Sequence, residues 1–419
     1  MDIKIFPSVL HGTVEAVPSK SEAHRLLICS ALADRETKLQ LNSVSQDIEA
    51  TMSCLSGLGA EPQIDGKYIT VKPAQKNQGN QGRAFFDCAE SGSTLRFILP
   101  VAAACGIDGY FCGRGRLPDR PILELAGVLE EHGISFSSHN IPFNISGNLS
   151  GGEYRISGDV SSQYITGLML ALPLINEKSL ITLTTKLESK PYVDITMGCL
   201  AKFGVVINNI ENGYEITHQK YISPGNVRPG GDWSNVSVFF AAGSAGGEVA
   251  VSGLELDSLQ GDAALCGIMR RLGANVGSAE GYVAVRGGRL SGCEIDIADT
   301  PDLLPALAVV ASAADGETRF YNGTRLRLKE SDRISSSAAM INALGGFAKE
   351  TEDGIYIRGT GLSSGIVDSC GDHRIVMAAA AASCFCTGPV VIHGAEAVRK
   401  SYPSFFEDFK KLGGKYDVI

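Results

Sequence analysis

Residues 371–383 read GDHRIVMAAAAAS, a polar and partly acidic patch that opens an alanine-rich run. An aspartate followed by apolar, alanine-dense sequence is a helix start signal. The pattern recurs five more times: PSKSEAHRLLICSALA (18–33), AESGSTLRFILPVAAA (89–104), GDVSSQYITGLMLALPL (158–174), GDWSNVSVFFAAG (231–243) and DTPDLLPALAVVASAA (299–314). A second marker runs in step with it. Gly59, Gly133, Gly204, Gly273, Gly345 and Gly413 each close a helical stretch, at intervals of 68 to 74 residues. Glycine just past a helix is the usual left-handed stop. Several markers are followed by alternating, hairpin-like sequence, as in GYEITH (213–218), GYVAVRG (281–287) and GIYIRG (354–359).

Six units of about 70 residues, each with two helices and several strands, are too long for a solenoid repeat and long enough to share a core. The sixth unit stops at KYDVI without its returning strand, whereas the chain begins with surplus strand-like sequence, DIKIFPS and TVEAV. The N-terminal segment is therefore expected to complete the last unit. That gives two domains of three βαβαββ-type units, one built from 1–17 and 229–419, the other from 18–228, joined by two strands. VRPGG (227–231) reads as a turn-rich linker between them. Two similar domains on a two-strand hinge predict a cleft that closes.

The composition narrows the function. The 419 residues are 44% apolar and 20% charged, ordinary for a globular protein. A net charge of −9 disfavours nucleic acid or an anionic membrane as partner. The longest apolar runs reach about 12 residues, against about 20 for a membrane span, and the N-terminus carries no signal-peptide pattern. Eleven cysteines without a CxxC pair fit reduced thiols in the cytoplasm. Cys29, Cys105 and Cys384 lie in alanine-rich helices and read as small core residues. Walker-type, dinucleotide-binding and HExxH spacings are missing from the sequence.

The helix starts carry the chemistry. Serine or aspartate there is a plain cap, but the dipole disfavours a cation unless an anion is present. Lys20, Arg25, Arg96, Arg333 and Arg374 break that rule, and Arg120 (GRLPDRPI, 115–122) and Lys400 (VRKSYPS, 398–404) sit in proline-flanked loops. In LKESDRI (328–334), Lys329, Glu330 and Arg333 crowd one helix start. Cations and amides converging from several repeats would make a site for a multiply anionic small molecule.

The patches PSKSEAHR, ESGSTLR, DRPI, GDVSSQ, SKPYVDIT, TPDLLPALA, LRLKESDR, GDHR and RKSYP, in that order, resemble the enolpyruvyl transferases, most closely those acting on shikimate 3-phosphate. The resemblance covers nearly the whole chain. It implies an α/β fold of two inverse α/β-barrel-like domains. It also implies transfer of enolpyruvyl from phosphoenolpyruvate to the 5-hydroxyl of shikimate 3-phosphate, with phosphate released, in aromatic amino-acid biosynthesis. No metal or organic cofactor, a cytoplasmic monomer and glyphosate as diagnostic inhibitor are further implications. Shikimate 3-phosphate would be held by Lys20, Ser21, Arg25, Ser161, Ser162, Gln163, Ser189, Tyr192, Asp302 and Lys329. Phosphoenolpyruvate would meet Lys20, Gly92, Arg120, Gln163, Arg333, Arg374 and Lys400. Asp302 resembles the family's proton acceptor and Glu330 its proton donor, with Lys20 between the two ligands. The sister enzyme acting on UDP-N-acetylglucosamine is the alternative; it uses a loop cysteine, which Cys112 in YFCGRGR would match. Two positions depart from the family: Arg325 and Glu90 both stand where Asn is common. Glu330 beside Lys329 is expected to be acidified by the cation.

Overall fold

In the computed structural model, which describes residues 1–74, 83–279 and 281–419, the repeats become helices in pairs. In chain order these are α1 (Lys20–Leu32), α2 (Gln46–Gly57), α3 (Gly92–Ala104), α4 (Leu123–Glu131), α5 (Ser162–Ala171), α6 (Lys190–Lys202), α7 (Trp233–Gly243), α8 (Leu265–Arg271), α9 (Leu304–Ser312), α10 (Arg333–Ala343), α11 (His373–Ala382) and α12 (Phe405–Lys411). The odd-numbered helices are the alanine-rich ones. They are inner elements: α11 is buried from His373 to Ala382 and α3 from Thr94 to Ala103. Small side chains allow that depth, because inner helices must approach one another closely. Gly167 on α5 shows the limit, since a Cβ there would collide with the carbonyl of Arg96 on α3. That carbonyl is open because Pro100, four residues on, has no amide to bond it. The even-numbered helices end at the six marker glycines, all with left-handed φ: 88° at Gly59, 99° at Gly133, 75° at Gly204, 92° at Gly273, 81° at Gly345 and 104° at Gly413.

Six four-stranded sheets share one order. In one, Ala84–Asp87 pairs parallel with Gly109–Cys112, which pairs antiparallel with Phe143–Gly147, which pairs antiparallel with Ile134–Phe136. With α3 and α4 between the strands, this is the βαβαββ unit expected from the repeat. The last sheet takes its fourth strand from the chain start. Ile3–Phe6 lies antiparallel between Val390–His393 and Lys415–Val418, with Ile5 opposite Val390 and Tyr416. The following segment, His11–Glu15, pairs parallel with Glu248–Ser252.

The chain divides into two compact units, Met1–Val17 with Gly230–Ile419, and Pro18–Pro229. Each has its own continuous apolar core, one including Ile5, Val251, Phe320 and Ile392, the other Leu39, Phe111, Ile145 and Ile181. Full burial of each such side chain contributes about 1.5–3 kcal/mol. No helix among the described residues is long and apolar enough to cross a membrane.

Three local expectations are corrected. The supposed linker begins inside a strand: Asn226–Val227 pairs parallel with Thr37–Gln40 and supplies that sheet's first position. Asp299 caps nothing in α9, which is preceded by a 3-10 turn, Pro301–Leu303, and has no side-chain cap. Arg25 and Arg96 lie in the second turns of α1 and α3 rather than at their starts.

Candidate active site

In the unit containing α7–α12, five sequence-selected residues form one bonded cluster. Asp302 sits in the turn before α9, Lys329 and Glu330 in the link before α10, Arg333 first in α10 and Arg374 second in α11. Arg333 is the hub. Its Nη1 donates to Asp302 Oδ1 at 2.7 Å, its Nη2 to Glu330 Oε2 at 2.6 Å and its Nε to Asp372 Oδ2 at 2.8 Å. Arg374 Nη2 donates to Asp302 Oδ2 at 3.2 Å, and Lys329 Nζ stands 3.4 Å from Asp302 Oδ1. Lys400 Nζ donates at 2.8 Å to the carbonyl of Gly371, the residue before Asp372.

These contacts explain how a buried arginine is tolerated at a helix start. Three carboxylates surround it, and each offsets both the dipole and the loss of water. Burial by itself would lower the pKa of Arg333, yet Asp372, Glu330 and Asp302 hold it well above the ordinary value. Burial would likewise raise Asp302, but Lys329, Arg374 and Arg333 outweigh it and keep the carboxyl well below its usual range. Lys329 is lowered, chiefly by burial, against the pull of Asp302. Three cations thus face three carboxylates, Asp302, Glu330 and Asp372. An arriving anion competes with these acids for the same donors. Arg374 also keeps a buried Nε with no acceptor, a donor ready for a ligand.

The unit containing α1–α6 holds the other selected residues. Lys20, first in α1, is paired with Asp47 Oδ2 at 2.8 Å. Arg25 is buried and makes four bonds: Nη1 to the Ser21 carbonyl (2.6 Å), Nε to Thr196 Oγ1 (2.8 Å), and Nη2 to the Tyr192 carbonyl (3.0 Å) and Thr166 Oγ1 (3.2 Å). Burial pushes its pKa down to about 10. Gln163 links two repeats, donating to Ser93 Oγ at 2.9 Å and accepting from Arg96 Nη1 at 2.5 Å. Arg96 and Tyr164 both donate to the carbonyl of Pro121, which fixes the backbone beside Arg120. The Arg120 guanidinium lies against Gly92, where an added Cβ would stand 2.5 Å from Nη1. Ser161 caps α5 through the amide of Gln163, Ser162 is the buried first residue of that helix, and Ser189 precedes α6 at a left-handed φ of 52°. Ala89 and Cys370, two residues before the caps of α3 and α11, are left-handed too, with φ of 50° and 51°. Such strain in non-glycine residues is characteristic of functional backbone.

Sequence reasoning missed Asp372 and Asp47. Asp372 caps α11 through the amide of Arg374 and also takes Arg333 and Ser331, so its ordinary capping signal concealed a second task. Cys112, expected in a loop, ends the strand Gly109–Cys112, and burial together with nearby Asp87 raises its thiol pKa. Glu330 is bonded to Arg333, whereas Lys329 turns to Asp302.

Two solved structures share this architecture over essentially the whole chain. An EPSP synthase from Acinetobacter baumannii superposes with a TM-score of 0.82 at 23% identity, covering 100% of both chains. The enolpyruvyl transferase NikO from Streptomyces tendae gives 0.81 at 15% identity, covering 99% of this chain and 98% of its own. The fold is therefore the two-domain inverse α/β barrel of the enolpyruvyl transferases. Sequence is more specific. The family model for EPSP synthase (3-phosphoshikimate 1-carboxyvinyltransferase) matches residues 6–409. The 3-phosphoshikimate 1-carboxyvinyltransferases of Clostridium novyi and Clostridium perfringens are 40% and 41% identical, covering 99% and 98% of this chain and 98% of their own lengths. The chain belongs to the EPSP synthase family.

Proposed function

We propose that this protein transfers the enolpyruvyl group of phosphoenolpyruvate to the 5-hydroxyl of shikimate 3-phosphate and releases phosphate. Family membership across nearly the full length supports the reaction. The observation that carries the site is the cluster in which Arg333 joins Asp302, Glu330 and Asp372 while Arg374 keeps a buried donor unused. In the reaction the methylene carbon takes a proton while the sugar hydroxyl attacks its neighbour and loses one. The new methyl group then returns a proton as the bond to phosphate breaks.

Glu330 is assigned to the carbon and Asp302 to the hydroxyl, with Lys20 serving the proton traffic. The two acids stand in different surroundings, which such paired work requires. Arg120, Arg333, Arg374 and Lys400, with Gly92 and Gln163, would take phosphoenolpyruvate; guanidinium forks suit its carboxylate and phosphate. Lys20, Ser21, Arg25, Ser161, Ser162, Gln163, Ser189, Tyr192, Asp302 and Lys329 would take shikimate 3-phosphate, and Arg25 also bonds the Ser21 and Tyr192 carbonyls. An anion displacing Glu330 from Arg333 would free its carboxylate to accept a proton and act as an acid.

Mass spectrometry of the reaction mixture tests the reading. A 5-enolpyruvyl ether of shikimate 3-phosphate is expected, with none formed from UDP-N-acetylglucosamine; the opposite outcome would assign the sister activity. The reading carries a cytoplasmic monomer with it. A solution mass near 44.2 kDa supports the monomer and twice that value refutes it.

A further inference from the structure

The link 329–332 carries Lys329 and Glu330 outside any regular helix, between the 3-10 turn Thr324–Leu328 and α10. Lys329 is extended, with φ −86° and ψ −161°, so no helical hydrogen bond fixes the pair from within. A four-residue link holding opposite charges would find several arrangements unless its ends were tied. Arg327 ties them. Its Nη1 donates to Asp332 Oδ2 at 2.9 Å, closing the link at its far end, and to Glu350 Oε2 at 3.2 Å. Nη2 donates to the Thr351 carbonyl at 2.8 Å and Nε to the Glu352 carbonyl at 3.4 Å. One guanidinium therefore joins the 3-10 turn, the cap of α10 and the end of strand Phe347–Glu350. Asp332 and Glu350 are tied further: Asp332 Oδ1 accepts the Ser335 amide at 3.1 Å, and Glu350 Oε2 accepts Ser335 Oγ at 2.8 Å.

On either side of Asp332 the chain turns to the cluster, Ser331 to Asp372 at 3.0 Å and Arg333 to Asp302 and Glu330. We propose that Arg327 is a positioning residue for this reaction, clasping the Asp332 and Glu350 carboxylates and the 351–352 backbone so that Glu330 is held in register with Arg333. The proposal rests on the assignment of Glu330 to the reacting carbon. A planar fork with several donors suits the task, because a lysine is a point charge that cannot address a carboxylate and two carbonyls in fixed geometry. Small displacements matter here, since about 1 Å of misplacement costs on the order of 100-fold in rate.

The test compares Arg327→Ala, Arg327→Lys and Glu330→Gln by steady-state kinetics at saturating shikimate 3-phosphate, with thermal midpoints measured alongside. Arg327→Ala is expected to lower kcat by about ten- to a hundredfold with the Michaelis constant for phosphoenolpyruvate within about twofold. Added guanidinium ion should restore part of that loss, and Arg327→Lys should fall between parent and alanine variant. If Arg327→Ala does not fold, Arg327→Lys carries the comparison. Turnover per folded molecule that stays at the parent level in the Arg327 variants, while Glu330→Gln is impaired, overturns the positioning role. Normal turnover in Glu330→Gln overturns the assignment beneath it, and the proposal with it.

Discussion

Arg333 Nη2 donates to Glu330 Oε2 at 2.6 Å across one turn of backbone, and the same guanidinium holds Asp302 and Asp372 with its other nitrogens. The proposed proton donor is therefore bonded to a cation. On the proposed assignment, substrate displaces Glu330 from Arg333 before the proton is delivered. Glu330→Gln keeps an acceptor for Arg333 and removes the titratable group, so kcat should drop by about 100- to 10,000-fold. Ligand affinities measured by calorimetry should stay near the parent values; weakened binding with preserved turnover would reassign Glu330 to binding.

The Arg120 guanidinium occupies the space that a side chain at Gly92 would take. Gly92→Ala places a carbon 2.5 Å from Nη1, so the guanidinium must move. Charge-assisted bonds of this type are worth about 1.5–3 kcal/mol, so the Michaelis constant for phosphoenolpyruvate should rise about ten- to a hundredfold. Arg120→Ala should reproduce the rise. An unchanged constant in both variants would remove Arg120 from the site.

Asp372 is fully buried and satisfies Arg333 twice. Asp372→Ala leaves a buried cation short of a partner and α11 without its cap. A loss of about 3–5 kcal/mol is expected in urea unfolding, accompanied by loss of turnover. A loss below about 1 kcal/mol, the scale of a simple cap, would show that the ion pair adds nothing.

Asp262, buried and accepting a hydrogen bond from Ser234, has its pKa raised to about 7, first by burial and then by the negative charge of Asp302. Its second carboxylate oxygen has no partner. The folded protein thus holds this proton more tightly than the unfolded chain. The group's stabilisation is complete below about pH 4 and is lost as pH rises towards 7. Asp262→Asn removes that loss, so its thermal midpoint relative to the parent should rise between pH 5 and pH 8. Asp302 acts in the opposite sense, its depressed pKa giving stability above about pH 4 that fades in acid. A pH-independent difference between Asp262→Asn and the parent would contradict the assignment.

The periodic features were legible in the sequence because a repeat states them six times. A glycine that must be left-handed and a helix that must be small-sided leave the same mark in every unit, and Gly59 through Gly413 all kept it. The cluster around Arg333 was legible for a different reason: cations at helix starts violate the dipole preference, and the violation points to a partner. What stayed hidden was the identity of the partners. Asp372 and Asp47 look like an ordinary cap and an ordinary first-turn acid, and only the tertiary fold sets them on Arg333 and Lys20. The strand Asn226–Val227 is two residues long, too short for any alternation to register. Arg25 and Arg96 lie one turn inside their helices, a difference the sequence does not show because a cap signal fixes a helix's entry only to within a turn.

The most direct measurement is phosphate release followed continuously with phosphoenolpyruvate alone and with phosphoenolpyruvate plus shikimate 3-phosphate. The account predicts release only when both are present, one phosphate for each enol ether formed. Equal release with phosphoenolpyruvate alone, or none with both, would contradict it.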